Sequence, residues 1–341
     1  MTRTKWTLAA LGLAAVLLGA AAIAQDSPMA QRFRAIKTQI DKPPPEASDD
    51  VRSPITRPGD YNFRFEHVGA TRVYRVHVPP SYTGSKAVPL VLALHGGGGD
   101  MEYQADNANY GHAAKADREG YVVVFPNGYS RFKSMRLATW NAGRCCGEAR
   151  DQNSDDVGYL RQVVELVSRQ LHIDRQRVYA TGMSNGGMMV YRLACEAADV
   201  FAAVASVAGS DSTTDCRPSR PVPVLHIHAQ DDDHVQFQGG AGPKSVRKSM
   251  VTDFTPVPQV IDKWVGLDHC TAAPQRVLQT EGAYCELHAG CQGGTRVQLC
   301  VTEHGGHSWP GASRTMSGAQ PSRAIDANDV IWDFFSKAVR G

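Results

Sequence analysis

From residue 59 onward, short apolar runs alternate with stretches whose apolar positions recur every three or four residues. Residues 61–68 and 71–78 switch between polar and apolar on either side of Gly69-Ala70, which predicts an antiparallel hairpin. Val88–Leu94 and residues 121–125 are almost unbroken apolar runs, as expected of strands covered on both faces of a sheet. Residues 101–118 between them predict a helix. With Asp155 or Asp156 as cap, the spacing of Val157, Leu160, Val164, Val167 and Leu171 predicts another. A strand at 177–181, a helix beginning near Gly187, strands at 202–207 and 222–228, a helix near 258–265 and an alternating strand at 295–302 follow. The chain closes on a helix with Asp326 and Asp329 as a capping pair and Val330, Ile331, Phe334 and Phe335 facing inward. This alternation predicts one α/β domain over residues 59–341, with a mostly parallel central sheet flanked by helices.

The segments before residue 59 have a different character. Residues 1–24 begin with Arg3 and Lys5, continue through an apolar run and end Ala22-Ile23-Ala24, the features of a cleavable signal peptide. Residues 25–58 are polar and rich in proline, without usable periodicity, and predict a flexible arm. Removing Arg3 and Lys5 leaves 34 of the 36 basic residues against 34 acidic ones. Such a balance offers no footprint for nucleic acid or for an anionic membrane. A leader also changes how the eight cysteines are read. None are spaced Cys-x-x-Cys, as a zinc site would require, and an oxidising compartment favours disulfides. Cys195 with Cys216 would tie a helix to the loop after it, and the last four cysteines would pair locally. The expected location is secreted or periplasmic, without membrane association once the leader is gone.

The chemistry centres on Gly182-Met183-Ser184-Asn185-Gly186, between a predicted strand and a predicted helix. Gly-x-Ser-x-Gly in that context is a nucleophile elbow, whose strained turn lifts the serine hydroxyl clear of the sheet. A serine needs a base to take its proton and an acid to orient that base, and in this arrangement both follow on later loops. Asp231-Asp232-Asp233 stand just beyond the strand at 222–228, so one of the three is the candidate acid. His304 and His307 follow the strand at 295–302. The flexible Gly305-Gly306 before it and the stiff Trp309-Pro310 after it favour His307. Gly96 to Gly99 end a buried strand and leave amides able to approach a ligand. The N–H groups of Gly97 and Asn185 are the expected oxyanion donors. A phosphate loop would also need a lysine followed by Ser or Thr, absent here. His95 reads as structural.

These motifs taken together, with Pro79-Pro80, residues 140–147 (Trp-Asn-Ala-Gly-Arg-Cys-Cys-Gly) and Gly305-Gly-His-Ser-Trp-Pro-Gly, resemble the extracellular polyhydroxybutyrate depolymerase and feruloyl esterase family of α/β-hydrolases. The resemblance runs from about residue 60 to the C-terminus. It implies an α/β-hydrolase fold, Ser184 as nucleophile and His307 as base. Register against the family's His-Gly-Thr-x-Asp loop implies Asp232 as the acid, although Ala229-Gln230 replace Gly-Thr. Trp140 and Trp309 become candidate substrate contacts. A carboxylic ester is the expected substrate, on a polyester oligomer or a feruloyl-type cell-wall ester, with no metal or organic cofactor required. A noncatalytic binding protein on the same scaffold and a peptidase of the same fold are the alternatives.

Overall fold

A computed structural model describes residues 28–47, 49–245, 253–315 and 318–340, so the leader at 1–24 lies outside the described residues. Helix α1 (Pro28–Ile40) comes first, followed by strands β1 (Gly59–His67), β2 (Ala70–Val78) and β3 (Val88–Leu94). Short helices α2 (Met101–Ala105) and α3 (His112–Glu119) lead to β4 (Val122–Pro126), α4 (Gly147–Asp151) and α5 (Asp156–Gln170). Then come β5 (Ile173–Met183), α6 (Asn185–Glu196), β6 (Ala203–Val207), β7 (Val224–Ala229) and α7 (Val257–Leu267). The chain finishes with β8 (Gln275–Thr280), β9 (Ala283–His288), β10 (Val297–Thr302) and α8 (Ala327–Ser336).

Among the described residues, ten strands form one sheet, in the order β1-β2-β4-β3-β5-β6-β7-β10-β9-β8. The six from β4 to β10 in that order run parallel, and antiparallel strands finish both edges. Strand periodicity divides the core in two. Leu90, Leu92 and Leu94 share one core with residues of α5, α6 and α7 on one face, while Val91 and Ala93 share another with residues of α2, α3 and α8 on the other. Burying such side chains stabilises by roughly 1.5–3 kcal/mol each. Because the strands are parallel, the loops after β3, β5, β7 and β10 open on one edge of the sheet, where ligands bind in open α/β folds.

Three expectations change. The single helix over 101–118 is two. Asp100 caps α2 by accepting from the amides of Glu102 and Tyr103, and α2 ends at Asp106, whose side chain accepts from Ala108 N. Gly111, at φ 74°, then starts α3. Residues 28–58 are not a free arm: α1 is helical, Pro45 O accepts from Arg64, and Ser53 O accepts from Gln170. Ile55 is buried against the domain. At the C-terminal helix Asp326 alone provides the cap, whereas Asp329 pairs with Lys115 at 3.0 Å.

The cysteines pair as Cys145–Cys146, Cys195–Cys216, Cys270–Cys291 and Cys285–Cys300. Cys195–Cys216 ties α6 to the loop after β6, as expected. Cys285–Cys300 links opposed residues of β9 and β10. Among the described residues no helix is long and apolar enough to cross a membrane.

Candidate active site

Ser184 joins β5 to α6 at φ 56° and ψ −121°, a conformation that disfavours side chains bearing a Cβ. Close packing around the turn makes the flanking glycines obligatory. A Cβ on Gly186 would run into the carbonyl oxygens of Leu94 and His95, and one on Gly182 would run into the Gly186 carbonyl. The Ser184 N–H donates to Val207 O at 2.8 Å, and Ser184 O accepts from Met188 N at 2.8 Å. The backbone is thus fixed on both sides of the nucleophile candidate.

The glycine loop after β3 lies against this turn. A Cβ on Gly96 would sit 3.6 Å from Ser184 Cβ, and one on Gly97 would sit 3.5 Å from Asn185 Cβ. Among the described residues, no acceptor is bonded to the N–H of Gly97 or of Asn185. Asn185 opens α6, where helix amides lack internal partners and favour negative charge. Its side chain accepts from Trp140 N at 2.7 Å and donates to Trp140 O at 3.0 Å. The Trp140 indole N–H donates to His95 O at 2.9 Å. His95 is wholly buried; its Nε2 accepts from Gly128 N at 2.9 Å, so Nδ1 carries the hydrogen donated to Gly96 O at 2.8 Å. Burial pulls its pKa down, consistent with a neutral, structural ring.

Each of the three aspartates after β7 has its own partner. Asp231 accepts from Gly306 N at 2.8 Å, bracing the histidine loop. Asp233 pairs with His234 Nδ1 at 2.7 Å and with Lys244 at 2.8 Å. Asp232, buried, accepts from His307 Nδ1 at 2.9 Å through Oδ2, and from the amides of His234 and Val235 at 2.8 and 2.9 Å through Oδ1. Burial pushes the Asp232 carboxyl up, but the charge of His307 and hydrogen bonds from His228 and His307 outweigh it, leaving the group well below the usual carboxylate range. His304 is exposed, with only a 3.6 Å approach to Asp231. The His234 ring stacks on His307 with centroids 4.6 Å apart and 17° between planes. Asp232, His234 and His307 bring ligand atoms within 4.8 Å of one another. Stacked, near-parallel imidazoles aim their in-plane lone pairs side by side, not at one shared ion.

Two expectations fail on burial. Trp140 and Trp309 are 0% and 1% exposed, so neither offers a face to a substrate. Trp140 braces Asn185 and the glycine loop, and Trp309 packs on Tyr110 and His112. A support that sequence reasoning missed lies beneath residues 140–147. Arg72 and Asp156 form a buried pair at 2.6 Å, and the other Asp156 oxygen accepts from Asn141 N at 2.8 Å. Asp156 stands beside the true helix cap, Asp155, and nothing in its local sequence distinguishes them.

Residues 72–229 match the sequence profile described as Esterase PHB depolymerase. Putative esterase NocK from Nocardia uniformis subsp. tsuyamanensis is 30% identical over 285 residues, covering 78% of this chain and 79% of NocK. The chain belongs to the esterase PHB depolymerase family. It is a carboxylic ester hydrolase with an α/β-hydrolase fold. Feruloyl esterase B from Piromyces equi is 32% identical over 238 residues, which is 68% of this esterase but 42% of that longer protein. The bifunctional acetylxylan esterase/xylanase XynS20E from Neocallimastix patriciarum is 32% identical over 170 residues, half of this esterase and 23% of that protein. The acetyl xylan esterase from Aspergillus awamori has the same fold, with a TM-score of 0.53, 14% identity, and coverage of 78% and 94% of the two chains. The profile match holds Gly97, Ser184 and Asn185 but stops before Asp232 and His307.

Proposed function

We propose that this esterase is exported and works through an acyl-enzyme on Ser184, with His307 as base and Asp232 as the acid that orients it. One observation carries the reading. Asp232 Oδ2 and His307 Nδ1 are bonded at 2.9 Å on the loops after β7 and β10, at the sheet edge where β5 delivers Ser184. A carboxylate only accepts, so His307 Nδ1 holds its hydrogen and Nε2 is left as the basic atom. Ser184 Oγ attacks the ester carbonyl carbon as its proton passes to His307 Nε2, and the oxyanion forms against the Gly97 and Asn185 amides. Collapse expels the alcohol, which takes that proton. Water then attacks the acyl-enzyme with His307 again as base, and Ser184 leaves with the proton returned.

For the substrate we favour a feruloyl- or acetyl-type ester, such as plant cell-wall polysaccharide carries, because curated relatives are named for those acyl groups. Polyhydroxybutyrate-type oligomers form the second class, favoured by the family description. Four disulfides support export, since they persist in oxidising compartments. The test is hydrolysis of methyl ferulate, p-nitrophenyl acetate and butyrate, and 3-hydroxybutyrate oligomers by wild type and Ser184→Ala, with a phosphonate serine probe run in parallel. We expect Ser184→Ala to lose both turnover and labelling. A Ser184→Ala protein as active as wild type would defeat the reading, and the preferred ester ranks the two substrate classes.

A further inference from the structure

Strand β7 carries two histidines where its pattern calls for apolar side chains. His226 and His228 alternate with Leu225 and Ile227 and face α6 and α7, at 0% and 1% exposure. Buried imidazoles cost stability unless their nitrogens are bonded. Here every nitrogen has a partner. His228 Nε2 lies 2.8 Å from Val235 O and 3.3 Å from Asp232 Oδ2. His228 Nδ1 lies 3.0 Å from His226 Nε2, and His226 Nδ1 lies 2.5 Å from the Tyr191 hydroxyl on α6. The two ring planes differ by only 4° with centroids 5.1 Å apart, the edge-to-edge alignment that an in-plane bond between the nitrogens requires.

Only one placement of hydrogens satisfies this chain with neutral rings. A carbonyl and a carboxylate both accept, so His228 Nε2 must donate. His228 Nδ1 is then bare and accepts from His226 Nε2–H. That leaves His226 Nδ1 bare, accepting from the Tyr191 O–H. Every bond points the same way, from α6 towards Asp232. At its end, His228 holds the turn twice over: it bonds the Val235 carbonyl, whose own N–H donates to Asp232 Oδ1, and its second branch reaches the oxygen that His307 uses.

We propose that Tyr191, His226 and His228 form a buried positioning relay that sets the orientation of Asp232, and through it of His307. The inference rests on the triad reading above. None of the three touches substrate. The relay acts on turnover, because it fixes the acid of the base pair and leaves the acyl and alcohol sites alone. His228→Ala therefore lowers kcat by about 10- to 100-fold, as small misplacements of catalytic groups do, with KM changed less than about 3-fold. His228→Gln, which keeps an N–H near Nε2, recovers most of that loss. Tyr191→Phe keeps the ring but frees the tautomer of His226, and lowers kcat by about 3- to 10-fold.

The experiment measures kcat and KM per probe-titrated active site for these variants beside Ser184→Ala, together with imidazole 15N–1H spectra of wild type. Wild-type His226 and His228 should both read neutral with hydrogen on Nε2. Either ring cationic, or bearing its hydrogen on Nδ1, overturns the relay even if every variant fails to fold. Variants that lose thermal stability yet keep wild-type kcat per labelled site also overturn it and reduce the three residues to packing. A Ser184→Ala protein that still turns over sinks the triad reading itself, a separate outcome.

Discussion

The two halves of the candidate site are built from different materials. The nucleophile half, where the loop after β3 meets the turn after β5, is held by backbone: Gly182 and Gly186 packed without room for a Cβ, a strained Ser184, and amides left bare. The acid–base half, after β7 and β10, is held by side chains, with Asp232 gathering four hydrogen-bonding contacts and the histidines of β7 lined up behind it. The first half fails when volume is added, the second when a polar atom is removed.

The largest effect that separates the halves is Asp232→Asn. An amide accepts poorly where His307 Nδ1–H needs a carboxylate, and offers hydrogens that push the base towards the wrong tautomer. We expect kcat to fall by about 10³- to 10⁴-fold, while Asp231→Asn and Asp233→Asn stay within about 10-fold. Steady-state kinetics on one activated ester decides it. Equal losses at all three positions would mean that the 2.9 Å bond to Asp232 has no special part.

On the backbone side, Gly186→Ala should cost about 3 kcal/mol by overpacking against the Leu94 and His95 carbonyls. Gly97→Ala, whose Cβ would meet Asn185 Cβ at an ordinary contact distance of 3.5 Å and which has no positive φ, should cost less than about 1 kcal/mol of stability. Denaturant unfolding of both variants makes the comparison, and similar midpoints would refute the steric account.

This contrast also explains what could be read from the sequence. Gly182, Ser184 and Gly186 declare their role because steric demands at a tight turn admit few residue types, and such demands stay local in the chain. Asp232 needed an outside register, since its neighbours Asp231 and Asp233 are chemically identical and only the fold gives each a different partner. Trp140 misled for a related reason. A tryptophan beside a catalytic loop has the chemistry of a substrate contact, and only burial reveals a brace. The β8–β9 hairpin escaped notice because β8 is an exposed edge strand with no buried face to impose alternation. His226 and His228 passed for part of an apolar strand, since nothing in residues 222–228 says that Tyr191 faces them.

Buried ionisable side chains outside the nucleophile half carry a further liability in acid. Burial lowers the pKa of His112 to about 3 and holds His226 well below its ordinary value. Unfolded, each would titrate near 6.5, so below that value the unfolded chain binds more protons and stability falls as the pH is lowered. Their contribution is complete above about pH 6.5. At pH 5 the loss is about 2 kcal/mol for His112, and His226 acts in the same direction. Asp268, raised by burial to about 6, works the other way and returns about 1 kcal/mol over the same interval. Thermal unfolding at pH 7 and pH 5 should show a clear drop, and His112→Phe should reduce it. No difference between the two pH values would mean that these rings are not neutral in the fold.

The smallest effect tests the seam between the halves. Asn185 belongs to the nucleophile half by its backbone amide, but its side chain is a polar clamp, exchanging two bonds with Trp140. Asn185→Ala keeps the amide and adds no volume, so a purely steric site would tolerate it. Yet it strands the Trp140 N–H in a buried setting, leaves the Trp140 carbonyl with only its bond from Cys146 N, and loosens residues 140–147 above the glycine loop. An unpaired buried group costs about 1–3 kcal/mol. We expect that strain to move the oxyanion donors and lower kcat about 10-fold, with phosphonate labelling slowed in proportion. Wild-type kcat in a destabilised Asn185→Ala protein would show that the clamp serves folding alone. Slowed turnover with unchanged unfolding would show that it serves the site alone, and that the glycine packing suffices to hold the turn.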